Sequence, residues 1–228
     1  MLIELSTVLN EKIAKWPTNP SERFETLQCM GDGDACNASS VYHSMHNGTH
    51  VDAPKHFSKN GKSIDNIPIE DFYYTSPLLI TLKKGEREYI TKEDLVQFEK
   101  EISKADILCV YTGFSDVKEK DTDAYVTKFP SFTYEAALYL RYNFPALKAI
   151  ALDFLSADSP TEGPATGFPV HKALLDEIKS EDIRTLLIFE DVNLNRLMSI
   201  KDTIKTICAF PIRWENAEAA PVCMVAIS

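Results

Sequence analysis

No stretch of the 228-residue sequence approaches the roughly 20 consecutive apolar residues that a helix needs to cross a bilayer. The opening Met-Leu-Ile-Glu-Leu-Ser lacks the basic region and apolar core of a secretory signal, so a cytoplasmic location is expected. Without secretion, the acceptor patterns at Asn37 and Asn47 carry no weight as glycosylation sites. A basic excess is missing as well. The 24 Lys and Arg stand against 34 Asp and Glu, a formal net charge of -10, which argues against a nucleic-acid surface and favours a soluble protein. The five cysteines, at 29, 36, 109, 208 and 223, include no close pair resembling a zinc clip. Cys109, Cys208 and Cys223 lie in apolar runs and are expected as small, reduced core residues. Gly31-Asp-Gly-Asp34 reads as an exposed loop whose acids lack the other ligands of a calcium loop.

With 44% hydrophobic and 25% charged residues, the composition is ordinary for a globular chain long enough to bury a core. Apolar patterning predicts strands over 2–6, 23–29, 40–46, 78–82, 106–111, 149–152, 185–189, 207–212 and 222–227. Residues 57–70 read as loop. Thr91, with Asp94 three positions on, predicts a helix carrying Leu95, Phe98 and Ile102 on one face. A second helix is expected over 132–142, capped by Ser131 or Thr133, and a third over about 170–179. Residues 159–169, rich in turn formers, read as a loop. No internal repeat or low-complexity linker divides the chain, so one mixed α/β domain over 1–228 is the simplest expectation.

Four of the five histidines fall in His43-Ser-Met-His46-Asn-Gly-Thr-His50-Val-Asp52-Ala-Pro-Lys-His56-Phe. In an extended strand His46, Gly48, His50 and Asp52 point to one face, with Gly48 leaving a gap. Two imidazoles and a carboxylate then converge, the outline of a divalent-metal site. A helical reading is disfavoured by Asn47-Gly48-Thr49 and Pro54, and no Glu follows His46 to serve as a metalloprotease base. His56, beyond Pro54, is expected beside the metal as a proton carrier, with a further ligand or an orienting partner as alternatives. His171, at a helix start, and Glu190, at a strand end, could hold a second metal bridged by Asp52; a helix cap and an exposed charge are their ordinary readings. Trp16, Phe24, Tyr42 and the Tyr73-Tyr74 pair are candidates to stack on an aromatic substrate, or core and dimer contacts.

His46-Asn-Gly-Thr-His50-Val-Asp52-Ala-Pro54-Lys-His56 resembles the HxGTHxDxPxH signature of the cyclase family, which includes kynurenine formamidase and isatin hydrolase. Trp16-Pro17, Leu108 to Phe114, Ala149 to Ser156, His171 to Leu175 and Phe189 to Leu194 are similar to further elements of that family. The resemblance implies a β/β/α swivelling fold, usually dimeric, and a hydrolase using one or two divalent ions, zinc first and manganese second. His46, His50, Asp52, His171 and Glu190 would be metal ligands, His56 the catalytic histidine, and Trp16 a substrate contact. The implied reaction is cleavage of a small amide C–N bond by metal-activated water, in an aryl formamide such as N-formylkynurenine. A cyclic amide or lactone substrate, or metal binding without catalysis, is the alternative. The chain departs from the family pattern in an insertion around Lys179-Ser-Glu-Asp182. It departs again where Ala219-Ala-Pro-Val-Cys223 replaces Asp-x-x-Pro-Val-Arg.

Overall fold

A computed structural model describes residues 1–176 and 183–228, so the insertion around Lys179 lies outside the described residues. In chain order the strands are β1 (Leu2–Glu4), β2 (Arg23–Gln28), β3 (Ala38–Tyr42), β4 (His50–Asp52), β5 (Tyr73–Tyr74), β6 (Pro77–Thr81) and β7 (Tyr89–Ile90). They continue with β8 (Ile107–Tyr111), β9 (Ser131–Phe132), β10 (Ala149–Leu152), β11 (Leu187–Glu190), β12 (Thr206–Pro211) and β13 (Ala219–Ile227). The helices are α1 (Lys92–Val96), α2 (Glu99–Ile102), α3 (Thr122–Thr127), α4 (Tyr134–Asn143), α5 (Glu162–Thr166) and α6 (Pro169–Leu175).

A nine-stranded mixed sheet runs in the order β5-β12-β13-β4-β11-β10-β8-β6, with β1 also paired to β13. The strands from β11 to β6 are parallel, and every other pairing in the sheet is antiparallel. All of β8 and β10 is buried, as expected of parallel strands covered on both faces. Alternation along these strands divides the interior into two cores. Leu108, Val110, Ile150, Leu152 and Ile188 pack under α1, α2, α4 and α6. Ile107, Cys109, Ala149, Ala151, Leu187 and Phe189 face the opposite way, toward Val51, Phe72, Met224 and the antiparallel strands.

The Thr91 signal forms a full capping box with Asp94, and α4 is capped by Thr133, whose side chain accepts the Ala136 N–H. Other expectations give way. A short helix, α5, forms inside the turn-rich 159–169 segment, closed by Gly167 in the left-handed region at φ 76°. The long strand β13 begins at Ala219 rather than at 222, because its first residues pair with β4. The two-residue strands β7 and β9, which pair in parallel, carried too little pattern to be expected. Of the three cysteines expected in the core only Cys109 is buried; Cys208 is half-buried, and Cys223 points out of β13 into solvent. The 57–70 segment contains a 3-10 turn at Ile64–Asn66 and the start of another at Ile69–Phe72.

Candidate metal centre

β4 lies between β11 and β13 at the middle of the sheet, and its register sets the site. Glu190 on β11 stands directly opposite His50, and Asp52 is opposite Ile188 on one side and Ala219 on the other. Because Val51 points into the second core, His50 and Asp52 point the other way, sharing a face with Glu190. That part of the strand argument holds. The rest needs correction: the strand covers only His50–Asp52, and His46 sits in a preceding turn. Gly48 is the reason. Its φ of 67° is left-handed, and a Cβ there would stand 2.5 Å from Leu9 Cδ2 and 2.8 Å from Ile13 Cδ1. Gly48 is thus a backbone reversal packed on Leu9 and Ile13, not a gap in a row of ligands. The reversal still returns His46 to Asp52. Thr49 anchors it, its hydroxyl donating to Asp191 O at 2.7 Å and accepting Thr7 N–H at 2.9 Å.

Asp52 is the hub, fully buried. His46 Nδ1 lies 3.0 Å and His50 Nε2 3.4 Å from its Oδ1. His171 Nε2 lies 3.4 Å and His56 Nε2 4.0 Å from its Oδ2. Glu190 closes the ring, 3.5 Å from His50 Nε2 and 3.3 Å from His171 Nε2. The site residues expected from sequence therefore meet in one place, the outlying His171 and Glu190 included. Among the described residues two clusters have ligand atoms within 4.8 Å of one another: His46, Asp52 and His56; and His50, Asp52 and Glu190.

The hydrogen bonds show what the cluster fits. His50 Nδ1 lies 2.9 Å from Gly48 O, which only accepts, so Nδ1 carries a proton and Nε2 is the atom left facing the carboxylates, where a bound cation would take its lone pair. His171 repeats the pattern: Nδ1 lies 2.6 Å from Asp158 Oδ2, leaving Nε2 turned to Asp52 and Glu190. Among the described residues His50 Nε2 and both Asp52 oxygens are buried without a well-formed hydrogen bond. Lone pairs converging on unsatisfied carboxylates are repulsive unless a cation or added protons stand among them, and this donor set suits a divalent cation.

The same charge imbalance displaces the titrations. Burial acts to lower the His46 pKa, but Asp52, with Glu218 and Glu190, overrides it and raises it to about 10. His50 and His171 are likewise raised against their burial, by Asp52 and, for His171, first by Asp158. Burial favours a neutral Asp52, yet the surrounding imidazoles hold its carboxyl well below the usual range. His56 behaves oppositely. Burial, reinforced by its neighbouring imidazoles, brings it to about 4 against the pull of Asp52, so it is neutral near pH 7.

Sequence reasoning missed three kinds of residue here. Asp158 accepts the backbone N–H groups of Val170 at 3.0 Å and His171 at 2.9 Å, and orients the His171 ring. Its only sequence signal was its place immediately ahead of the turn-rich 159–169 segment. Glu218 lies 3.4 Å from His46 Nε2, supplying the acid that the segment starting at Ala219 had left out of account. Phe57 and Phe168 wall the cavity above the cluster, about 230 Å³ in volume, together with Trp16, Asn19, Leu155 and Ser156. Phe168 takes a left-handed φ of 57° just before Pro169 and packs edge-on against Trp16 at 6.1 Å. Trp16 is the one aromatic candidate that reaches this cavity. Phe24, Tyr42 and Tyr73 are exposed elsewhere, and Tyr74 is a core residue.

Comparison with known proteins adds the lineage. An uncharacterized protein of Haemophilus influenzae is 36% identical over 109 residues, 48% of this chain and 77% of its own. The kynurenine formamidase of Bacillus anthracis is 33% identical over 96 residues; the match spans 42% of this chain and less than half, 44%, of that enzyme. In structure, isatin hydrolase A from Labrenzia aggregata, solved with benzyl benzoate, superposes with a TM-score of 0.79 at 18% identity, over 99% of this chain and 93% of that one. That likeness extends the mixed α/β architecture to the whole described chain. The Cyclase family, described as putative cyclase, matches residues 3–159, which hold the entire histidine signature, and the chain belongs to that family.

Proposed function

We propose that this Cyclase-family protein is a metal-dependent hydrolase that cleaves the C–N bond of a small amide, an aryl formamide such as N-formylkynurenine being the leading substrate. The observation that carries the reading is the set of buried Asp52 oxygens and His50 Nε2, none held by a well-formed hydrogen bond, beneath a cavity walled by Trp16, Phe57 and Phe168. His46, His50 and Asp52, with His171 and Glu190, would hold one or two divalent ions, zinc or manganese. A divalent ion supplies two things there: it polarises a carbonyl and lowers the pKa of water from about 15.7 towards 7.

The chain's own groups do the rest. His56, neutral near pH 7, takes a proton from the attacking water and delivers it to the departing nitrogen, help worth about 10²–10⁴-fold. Its Nε2 is the most distant from Asp52 of the four imidazoles, and its ring lines the cavity. The aromatic walls exclude water and offer faces for a planar ring. The formamidase name of partial relatives supports an open-chain formamide, and the fold likeness to isatin hydrolase supports a cyclic amide as the rival on the same centre.

His56→Ala should keep the full metal content and lose most turnover, whereas Asp52→Ala should lose both; elemental analysis beside formamidase assays reads this out. A second reading, His56 as a ligand, is favoured by its membership of the His46–Asp52 cluster. Equal metal loss in the two variants would establish it and remove the proton-carrier role. We further assign the protein to a reducing compartment, which suits its exposed Cys36 and Cys223 thiols. A homodimer is proposed as well, since the β2–β3 hairpin exposes Phe24, Leu27, Val41 and Tyr42. Among the described residues no helix is long and apolar enough to cross a membrane.

A further inference from the structure

His43 belongs to the histidine cluster in sequence but has no contact with Asp52, and its partners lead to another wall of the cavity. Its Nδ1 lies 2.8 Å from Oε2 of Glu22, a carboxylate in a residue only 2% exposed. The other oxygen of Glu22 accepts Asn47 Nδ2 at 2.7 Å, and the same nitrogen donates to Pro20 O at 2.9 Å. Both hydrogens of the Asn47 amide are therefore committed, and its Oδ1 can only accept. It accepts Asn19 Nδ2 at 3.0 Å.

This chain of donors and acceptors fixes the Asn19 amide in turn, with nitrogen toward Asn47 and Oδ1 away from it. The backbone is pinned too. Asn19 N–H donates to Trp16 O at 2.9 Å, and Asn19 O accepts Lys15 Nζ at 2.7 Å. Asn19 lines the cavity that contains Asp52 and His56, so a rigidly oriented amide faces the place where a substrate must lie. Glu22 and Asn47 are buried polar groups, costly to place behind a loop, and the hydrogen bonds that join them to His43 and Asn19 hold one geometry.

We propose that Asn19 is a specificity-determining residue: its Oδ1 accepts the N–H of a secondary amide whose carbonyl is turned to the His–Asp cluster. Asn47, Glu22 and His43 are positioning residues that hold it there. The inference rests on the amide-hydrolase reading above and narrows it. Once the carbonyl is committed to the cluster, the N–H is the amide's remaining polar group, and N-alkylated amides lack it.

The test is a cycle between side chain and substrate: formanilide and N-methylformanilide, each with wild type and Asn19→Ala. The ratio of the two preferences cancels the intrinsic reactivity of the substrates. Wild type should favour formanilide, and Asn19→Ala should shrink that preference about three- to tenfold, through a raised KM for formanilide alone. Calorimetric binding of oxindole against N-methyloxindole should lose the same factor. Glu22→Leu should reproduce the loss with metal content unchanged, and Glu22→Gln, which keeps an acceptor for Asn47, should largely restore it. A preference unchanged within twofold in Asn19→Ala overturns the proposal while leaving the hydrolase reading intact. Absence of both turnover and lactam binding in wild type overturns the two together. Should Glu22→Leu fail to fold, the Asn19 cycle still decides.

Discussion

Two glycines near the histidines are required for different reasons, and they separate folding from catalysis. Gly48 combines a left-handed backbone with Leu9 and Ile13 pressed against it. Gly48→Ala should lose about 1–3 kcal/mol in urea unfolding, since the left-handed region alone costs about 1–2 kcal/mol for a residue with a Cβ. Gly61 has no such strain; a Cβ there would sit 2.6 Å from Pro54 C, 2.7 Å from Pro54 O and 2.8 Å from Lys55 N. Those are backbone atoms of the 3-10 turn that ends at His56, so relief must come from moving that turn. Gly61→Ala should therefore retain metal while kcat falls on the order of 10²-fold, the cost of about 1 Å of misplacement. An unchanged kcat would mean that the turn yields without carrying His56. At this scale the sequence was legible where chemistry announces itself: His46, His50, Asp52 and His56 were named from residue type and spacing. Gly48 was assigned the wrong role, because parity along an assumed strand cannot reveal a positive φ.

Between elements, the site depends on how α6 is docked. His171 leaves the first turn of α6 and reaches Asp52 on β4 only if that short helix is held in place. Arg141 of α4 grips its far end, donating to Ala173 O at 2.8 Å and Asp176 O at 2.7 Å. Asp158 grips the near end through Val170 and His171 and fixes the ring as well. Partners of this kind are worth about 10–100-fold in metal affinity. Asp158→Ala should weaken metal binding by that factor in a chelator competition titration, with Arg141 still anchoring the helix. If affinity does not change, packing alone orients His171 and the Asp158 contact is incidental. None of this coupling could be read from the sequence. Strong local signals survived, among them the Thr91–Asp94 box and the all-apolar strands β8 and β10, because neighbouring residues determine them. β7, β9 and the early start of β13 depend on partners distant in the chain, which leave no periodicity behind.

For the molecule as a whole, the centre makes stability depend on metal and pH with opposite signs. In the metal-free protein His46 titrates at about 10 instead of its ordinary 6.5, and His50 and His171 are also raised. A raised imidazole contributes stability that is complete below 6.5 and is lost as pH climbs toward its folded value. In that window the folded chain keeps a proton that the unfolded chain has released, so unfolding becomes easier by up to about 1.4 kcal/mol per pH unit for each such group. The depressed groups do not offset this. Asp52, held low, loses its contribution only as pH falls below the carboxylate range, and His56, at about 4, loses its own between 6.5 and 4. Loading reverses the sign, because ligands must shed their protons to bind and affinity therefore rises with pH. The stabilisation RT ln(1 + [L]/Kd) grows along with it. Urea midpoints between pH 6 and pH 9 should accordingly fall for chelated protein, while the gap to protein with excess zinc or manganese widens. Parallel curves would mean that the protons now crowded around Asp52 and a bound cation do not compete for the same atoms, and the His–Asp cluster would not be the metal centre.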